Sequence, residues 1–150
     1  MSDQFSQYVM DKRVLVVDDS LPITCLLKEI LTQAGAEVTD VQSAQEAMAL
    51  VQTESYDLLV LDLVMPDITG WDLLRFLGSV CPCLLNRTLL LTGDRYHKRT
   101  MEWINGVELP VLFKPFSLEE LRQAITAVLA STDTQAANAC SNPGCPTGAN

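Results

Sequence analysis

Apolar residues in this sequence form short unbroken runs that alternate with longer segments in which apolar residues recur every three or four positions. A run that is apolar at every position predicts a strand covered on both faces, as the central strands of parallel sheets are. Four such runs, together with a weaker fifth pattern, predict five strands: residues 13–17, 36–42, 58–62, 88–91 and 110–113.

The segments between and after these strands have helical periodicity and predict five helices: residues 21–34, 43–53, 70–79, 95–105 and 117–131. Ser43 with Glu46, and Ser117 with Glu120, have the spacing of capping boxes, in which two backbone N–H groups at a helix start are satisfied reciprocally. Gly35 is placed to end the first of these helices.

Five successive strand-helix units predict an α/β domain with a doubly wound, five-stranded parallel sheet that is flanked by five helices. The predicted domain spans residues 13–131, and residues 1–12 form an N-terminal extension. Residues 132–150 are rich in Ser, Thr, Asn, Ala, Gly and Pro and have no apolar periodicity. Such a composition buries too little apolar surface to fold, which predicts a disordered tail.

Polar residues stand where four of the predicted strands end: Asp18 and Asp19, Asp62, Thr92, and Lys114. In a parallel sheet these strand ends lie along one edge, where ligands bind. Adjacent acids repel each other, and an unpaired buried carboxylate is unstable, so the set predicts a polar crevice with a positive partner. Considered singly, Asp62 is also compatible with a turn or a helix cap, and Asp19 or Ser20 with the cap of the next helix.

Composition limits the class of protein further. With 150 residues, of which 48% are hydrophobic, the chain is long enough for one domain with a core. A net charge of −9 disfavours binding to nucleic acid or to an anionic membrane. No apolar run is long enough to span a bilayer and no signal-peptide pattern is visible, so we expect a cytoplasmic protein. Five cysteines and a single histidine disfavour a disulfide framework or a zinc site.

Four strings surround the polar residues: Val-Val-Asp-Asp-Ser, Leu-Asp-Leu-Val-Met-Pro-Asp-Ile-Thr-Gly, Leu-Leu-Thr-Gly and Phe-Lys-Pro-Phe. In this order and spacing they resemble the receiver domain of bacterial two-component response regulators, over about residues 12–131. The resemblance implies a CheY-like, flavodoxin-like fold with strand order 2-1-3-4-5.

The resemblance also implies roles for the polar residues. Asp62 would be the phosphoacceptor, and Mg²⁺, which Mn²⁺ is able to replace, would be bound by Asp18, Asp19, Asp62 and the backbone carbonyl of Val64. Thr92 and Lys114 would contact the phosphoryl group. The chemistry agrees, because a carboxylate is ionised at neutral pH and attacks phosphorus without a general base. What it needs is neutralisation of the charge that gathers around the phosphorus.

By the same resemblance, the chain is a phosphorylation switch and not an enzyme, apart from self-catalysed phosphorylation and dephosphorylation of its aspartate. The phosphoryl donor would be a sensor histidine kinase or a phosphotransfer protein. Output would go to a protein partner through the face of the fourth helix, fifth strand and fifth helix, without nucleic acid or membrane as partners. We expect no DNA-binding domain in this chain. Val111 stands where the family commonly has an aromatic residue, so we expect the signal to leave through the loop after Thr92 and the basic residues Arg95, Lys98 and Arg99.

Three alternatives remain open from the sequence. In the first alternative, which is of the same class, the chain would be the receiver module of a hybrid sensor kinase or a fragment of a longer regulator. A Mg²⁺-dependent aspartyl-phosphate phosphatase of the haloacid dehalogenase type also uses a strand-end aspartate, but it expects an Asp-x-Asp pattern that is missing here. A flavodoxin-like cofactor binder would need a Gly/Ser/Thr-rich phosphate loop where this chain has two acids.

Overall fold

The computed structural model describes residues 4–63, 70–93 and 109–133, and its five strands form one parallel sheet. The strands are β1 (Arg13–Val17), β2 (Glu37–Val41), β3 (Leu58–Asp62), β4 (Thr88–Thr92) and β5 (Val111–Phe113). Their order is β2-β1-β3-β4-β5, as predicted. The order places β3 between β1 and β4, so the end of β3 lies in the middle of the sheet edge.

Six helices are present in the described residues: α1 (Gln4–Val9), α2 (Leu21–Gln33), α3 (Ala44–Val51), α4 (Gly70–Val80), α5 (Pro82–Leu85) and α6 (Leu118–Asp133). Four of the five predicted helices are confirmed as α2, α3, α4 and α6. The predicted helix at 95–105 lies outside the described residues, as does the predicted tail from residue 134 onward. The helices α1 and α5 were not predicted.

Helices cover both faces of the sheet, which explains why its strands are apolar at consecutive positions. Every residue of β3 and β4 is buried, whereas the edge strand β2 is not fully buried at any position. Leu59 and Leu61 belong to a core cluster with α3, α4 and α5, while Leu58 and Val60 belong to a second cluster with α1, α2 and α6. Alternate side chains of one strand therefore enter two different cores.

The predicted capping box at α6 forms in full, and the one at α3 forms in part, because the Glu46 carboxylate accepts from Gln42 and not from the N-cap residue Ser43. The N–H of Glu46 donates to Ser43 Oγ at 3.2 Å, and the Glu46 carboxylate accepts from the N–H of Gln42 at 3.3 Å. At α6, the N–H of Glu120 donates to Ser117 Oγ at 3.0 Å and the Glu120 carboxylate accepts from the N–H of Ser117 at 2.9 Å. The second box fixes the start of α6 directly after the segment that carries Lys114.

The predicted N-terminal extension contains the helix α1, which packs against α6. Phe5 and Val9 are buried in the cluster shared with α2 and α6, and the Arg122 guanidinium lies 5.8 Å from the centroid of the Phe5 ring. Asp11, with φ of 64°, then turns the chain toward β1. The first described residues are thus part of the domain core.

The opposite edge of the sheet is closed by a network centred on Arg13. Its backbone N–H donates to Asp57 Oδ2 at 2.9 Å, its guanidinium donates to Glu54 at 3.1 Å, and the guanidinium carbon lies 5.2 Å from the centroid of the Tyr56 ring. The hydrogen bond to Glu54 is the main cause of the raised pKa of Arg13. Because these contacts tie the start of β1 to the segment before β3, we regard this edge as structural.

Within the described ranges, none of the helices combines the length and the apolar character that a bilayer crossing requires.

We expect Phe5→Ala to lower the free energy of unfolding by about 3 kcal/mol, because it empties a buried aromatic position. Urea unfolding measures this change. Gln7→Ala, an exposed position of the same helix, is the matched control and should stay within about 0.5 kcal/mol of the wild type. Equal stability of the two variants would mean that α1 does not belong to the cooperative domain.

Candidate functional site

The carboxyl ends of the central strands bring the sequence-predicted polar residues together at one edge. Asp62 is the last residue of β3, and Thr92 is the last residue of β4. Asp18 directly follows β1, with its N–H donating to the carbonyl of Val41 at 3.2 Å. Lys114 directly follows β5, the strand next to β4. Parallel strands of similar length produce this grouping from residues that are far apart in sequence.

Three carboxylates form a compact cluster at this edge. Asp18, Asp19 and Asp62 each offer an oxygen atom, and these atoms lie within 4.8 Å of one another. Asp18 is fully buried, Asp62 is 5% exposed, and Asp19 is exposed. Carboxylates this close repel one another strongly unless a cation lies between or beside them.

Lys114 supplies one positive charge to this cluster. Its Nζ donates to Asp18 Oδ2 at 2.8 Å and lies 3.3 Å from Asp62 Oδ2. Burial alone would lower the pKa of Lys114, but the hydrogen bond to Asp18 and the charge of Asp62 outweigh it, and the pKa of Lys114 is raised. The ammonium therefore remains charged at neutral pH and leaves the cluster with an excess of negative charge.

Asp18 is held from both sides. Its second oxygen, Oδ1, accepts from the N–H of Ser20 at 2.9 Å. Ser20 occupies the N-cap position of α2, but its side chain makes no capping hydrogen bond. The Ser20 side chain therefore does not cap α2, which was the alternative role for Asp19 or Ser20; instead the backbone of Ser20 orients the Asp18 carboxylate near the positive end of α2. The hydrogen bond from Ser20 to Asp18 was not predicted. The only feature of the sequence that pointed to it was the Asp-Asp-Ser string before a helix.

Thr92 is fully buried at the end of β4. Its carbonyl oxygen accepts from the N–H of Lys114 at 2.8 Å, so the backbone of β4 fixes the backbone from which the Lys114 side chain extends. Val64, and with it the predicted metal-binding carbonyl, lies outside the described residues, as do Arg95, Lys98 and Arg99.

The chemistry of the cluster fits a hard divalent cation. All three groups are carboxylates, the ligand type that Mg²⁺ and Mn²⁺ prefer. One of them is exposed, which leaves a side open for ligands from solvent. The negative charge that Lys114 leaves uncompensated is the charge that such a cation would neutralise.

Comparison with known proteins assigns a family. Residues 14–126 match the response regulator receiver domain family. The transcriptional regulatory protein TrcR of Mycobacterium tuberculosis is 36% identical over 118 residues, which cover 78% of this chain and 45% of TrcR. The transcriptional regulatory protein CusR of Escherichia coli K12 is 31% identical over 120 residues, which cover 78% of this chain and 51% of CusR.

The solved structures agree with this assignment. A CheY-like response regulator receiver domain protein from Methanospirillum hungatei has a TM-score of 0.74 and 26% identity, covering 83% of this chain and 98% of its own. The chain spans about half the length of the curated relatives it matches. The family match and the similarity in fold show that the chain belongs to the response regulator receiver domain family of two-component signalling.

Proposed function

We propose that Asp62 accepts a phosphoryl group, in the presence of Mg²⁺, from a sensor histidine kinase or a phosphotransfer protein, and that phosphorylation changes how the domain binds a protein partner. The observation that carries this proposal is the position of Asp62 in the middle of the sheet edge, next to a lysine ammonium and within a cluster of three carboxylates.

Asp62 is a better phosphoacceptor than its two acidic neighbours. Both oxygens of Asp18 accept hydrogen bonds, from Ser20 and from Lys114, and its side chain is fully buried, so it cannot approach an incoming phosphorus atom. Asp19 is exposed and makes no contact with Lys114 within salt-bridge distance. Asp62 keeps a small exposed fraction, 5%, and contacts Lys114 at a distance longer than that from Lys114 to Asp18.

In the proposed reaction, a carboxylate oxygen of Asp62 forms a bond to phosphorus while the bond from phosphorus to the donor breaks. The bonding pair leaves with the histidine nitrogen, or with the carboxylate oxygen of a small acyl phosphate. Because a carboxylate is itself a nucleophile, this chain has to supply no general base. Its contribution is position and charge compensation.

Asp18, Asp19 and Asp62 would hold the Mg²⁺, with the backbone carbonyl of Val64 as the further protein ligand. When bound, Mg²⁺ neutralises the clustered carboxylates and the charge of the phosphoryl oxygens. Lys114 is positioned to exchange its contacts with Asp18 and Asp62 for a contact with a phosphoryl oxygen. The Thr92 hydroxyl, on the adjacent strand end, is the proposed hydrogen-bond donor to the same group.

The output follows from that exchange of contacts. A phosphoryl group shifts a conformational equilibrium only through contacts that differ between the two states, and Lys114 and Thr92 are such contacts. Val111 is a half-buried aliphatic residue that packs on the core cluster of α3 and α4, so no ring is present there to move. We therefore propose that the signal leaves through the segment after Thr92 toward a protein partner at the face of β5 and α6.

We expect Asp62→Asn to abolish phosphorylation by acetyl phosphate with Mg²⁺, because the amide has nearly the same shape but is a poor nucleophile. Intact mass measures the gain of one phosphoryl group. Asp40→Asn removes a carboxylate that pairs with Lys28 outside the cluster, and it should be phosphorylated as the wild type is. A full mass gain in Asp62→Asn would refute the assignment.

We expect Asp18→Ala and Asp19→Ala to weaken Mg²⁺ binding by about tenfold or more, since affinity follows the charge of the ligand set. Their effects on the metal-free fold should differ. Asp18→Ala removes the shorter ion pair of Lys114, which is only 21% exposed, and should lower the free energy of unfolding by about 3 kcal/mol. Asp19→Ala relieves repulsion at an exposed position and should raise that free energy by less than about 1 kcal/mol.

Calorimetric titration with Mg²⁺ and urea unfolding without it measure the two effects, and Asp40→Ala is the control for removal of a carboxylate outside the cluster. Wild-type Mg²⁺ affinity in both variants would rule out the proposed ligand set.

A further inference from the structure

The helix α4 begins in direct contact with the backbone of the proposed phosphoacceptor. A Cβ atom added to Gly70 would lie 2.5 Å from the carbonyl oxygen of Asp62 and 2.8 Å from the Cα of Leu63. Real Cβ atoms essentially never approach other atoms to less than 3.0 Å. Both contacted atoms belong to the backbone, so a larger residue at position 70 has no flexible side chain to push aside.

The backbone around Asp62 is held on two further sides. The N–H of Leu63 donates to the carbonyl of Leu91 in β4 at 3.0 Å, which ties the end of β3 to its neighbour. The N–H of Gly70 donates to the carbonyl of Leu63 at 3.2 Å, which ties the start of α4 to the same residue. Because hydrogen bonds hold both the end of β3 and the start of α4, a clash at Gly70 is relieved only if the backbone of Asp62 and Leu63 moves or if α4 moves.

We infer that Gly70 is a positioning residue for phosphorylation: its lack of a side chain allows α4 to lie on the carbonyl of Asp62 and so sets where the Asp62 carboxylate meets Lys114 and Asp18. This inference rests on the proposed function of Asp62. Gly70 touches neither the phosphoryl group nor a reacting atom, and it acts only through the backbone of Asp62.

The expected size of the effect follows from geometry. Relief of a 2.5 Å contact requires a shift that approaches 1 Å, and the contacted carbonyl belongs to Asp62 itself, so movement of this backbone also moves the Asp62 carboxylate. Misplacement of a reacting group by about 1 Å reduces rates by about 100-fold. We therefore expect a loss of this order in the rate of phosphorylation.

The same helix contains a matched control. A Cβ atom at Gly78 would meet only Leu85 Cδ2, at 3.9 Å, which is an ordinary contact distance. Gly78→Ala makes the same chemical change as Gly70→Ala in the same helix, but its added methyl group does not contact Asp62. Alanine at this helical position is expected to be neutral or favourable for the fold.

The test compares the 150-residue wild-type chain with its Gly70→Ala and Gly78→Ala variants. The initial rate of phosphorylation by acetyl phosphate is measured at saturating Mg²⁺ by intact mass, and thermal unfolding is followed in parallel to express the rate per folded molecule. Saturating Mg²⁺ removes any effect of metal affinity. A purely structural role would lower the melting temperature and leave the rate per folded molecule unchanged.

We expect Gly70→Ala to unfold cooperatively and to react at least about tenfold more slowly than the wild type, and Gly78→Ala to stay within about twofold of it. Three results would overturn the inference: a smaller loss of rate in Gly70→Ala, an equal loss of rate in Gly78→Ala, or the disappearance of cooperative unfolding in Gly70→Ala. In each case, phosphorylation of the wild type would still uphold the proposed function. If the wild type itself gains no phosphoryl group, the proposed function fails and this inference fails with it.

Discussion

The ammonium of Lys114 lies between the carboxylates of Asp18 and Asp62, which come from different strands and meet only because the sheet is parallel. The two acids share one positive charge, and Asp19 is a third acid close by. This arrangement is stable only while the fold holds each group in position, because the carboxylates repel one another. It leaves an excess of negative charge, which a divalent cation would neutralise, and in the proposed reaction Lys114 would exchange a carboxylate contact for a phosphoryl oxygen. The proposed switch depends on this shared ion pair.

The rest of the domain holds these groups in position. Burial on both faces fixes β3 as the central strand and directs Asp62 to the middle of the edge. The carbonyl of Thr92 holds the backbone of Lys114, and the N–H of Ser20 holds Asp18. At the opposite edge, the Arg13 guanidinium pairs with Glu54 and the backbone N–H of Arg13 donates to Asp57 Oδ2, so these contacts close the fold at the start of β1.

Sequence patterns predicted the sheet because a strand buried on both faces is apolar at each position, as in β3 and β4. They also predicted that the acids Asp18, Asp19 and Asp62 gather near Lys114, since strand ends in a parallel sheet share an edge. The short helices α1 and α5 were missed because six and four residues are too few to establish a helical period. The contacts of Ser20 and Gly70 were missed for a different reason. Both act through backbone atoms, and their geometry has no signature in side-chain chemistry.

The central claim is that, among three clustered carboxylates, Asp62 is the one that carries the phosphoryl group. Reductive trapping tests this directly, because borohydride converts an aspartyl phosphate to homoserine, which tandem mass spectrometry locates in the sequence. After reaction with acetyl phosphate and Mg²⁺, the account predicts homoserine at position 62 and unmodified aspartate at positions 18 and 19. Homoserine at Asp18 or Asp19, or at none of the three positions, would contradict it.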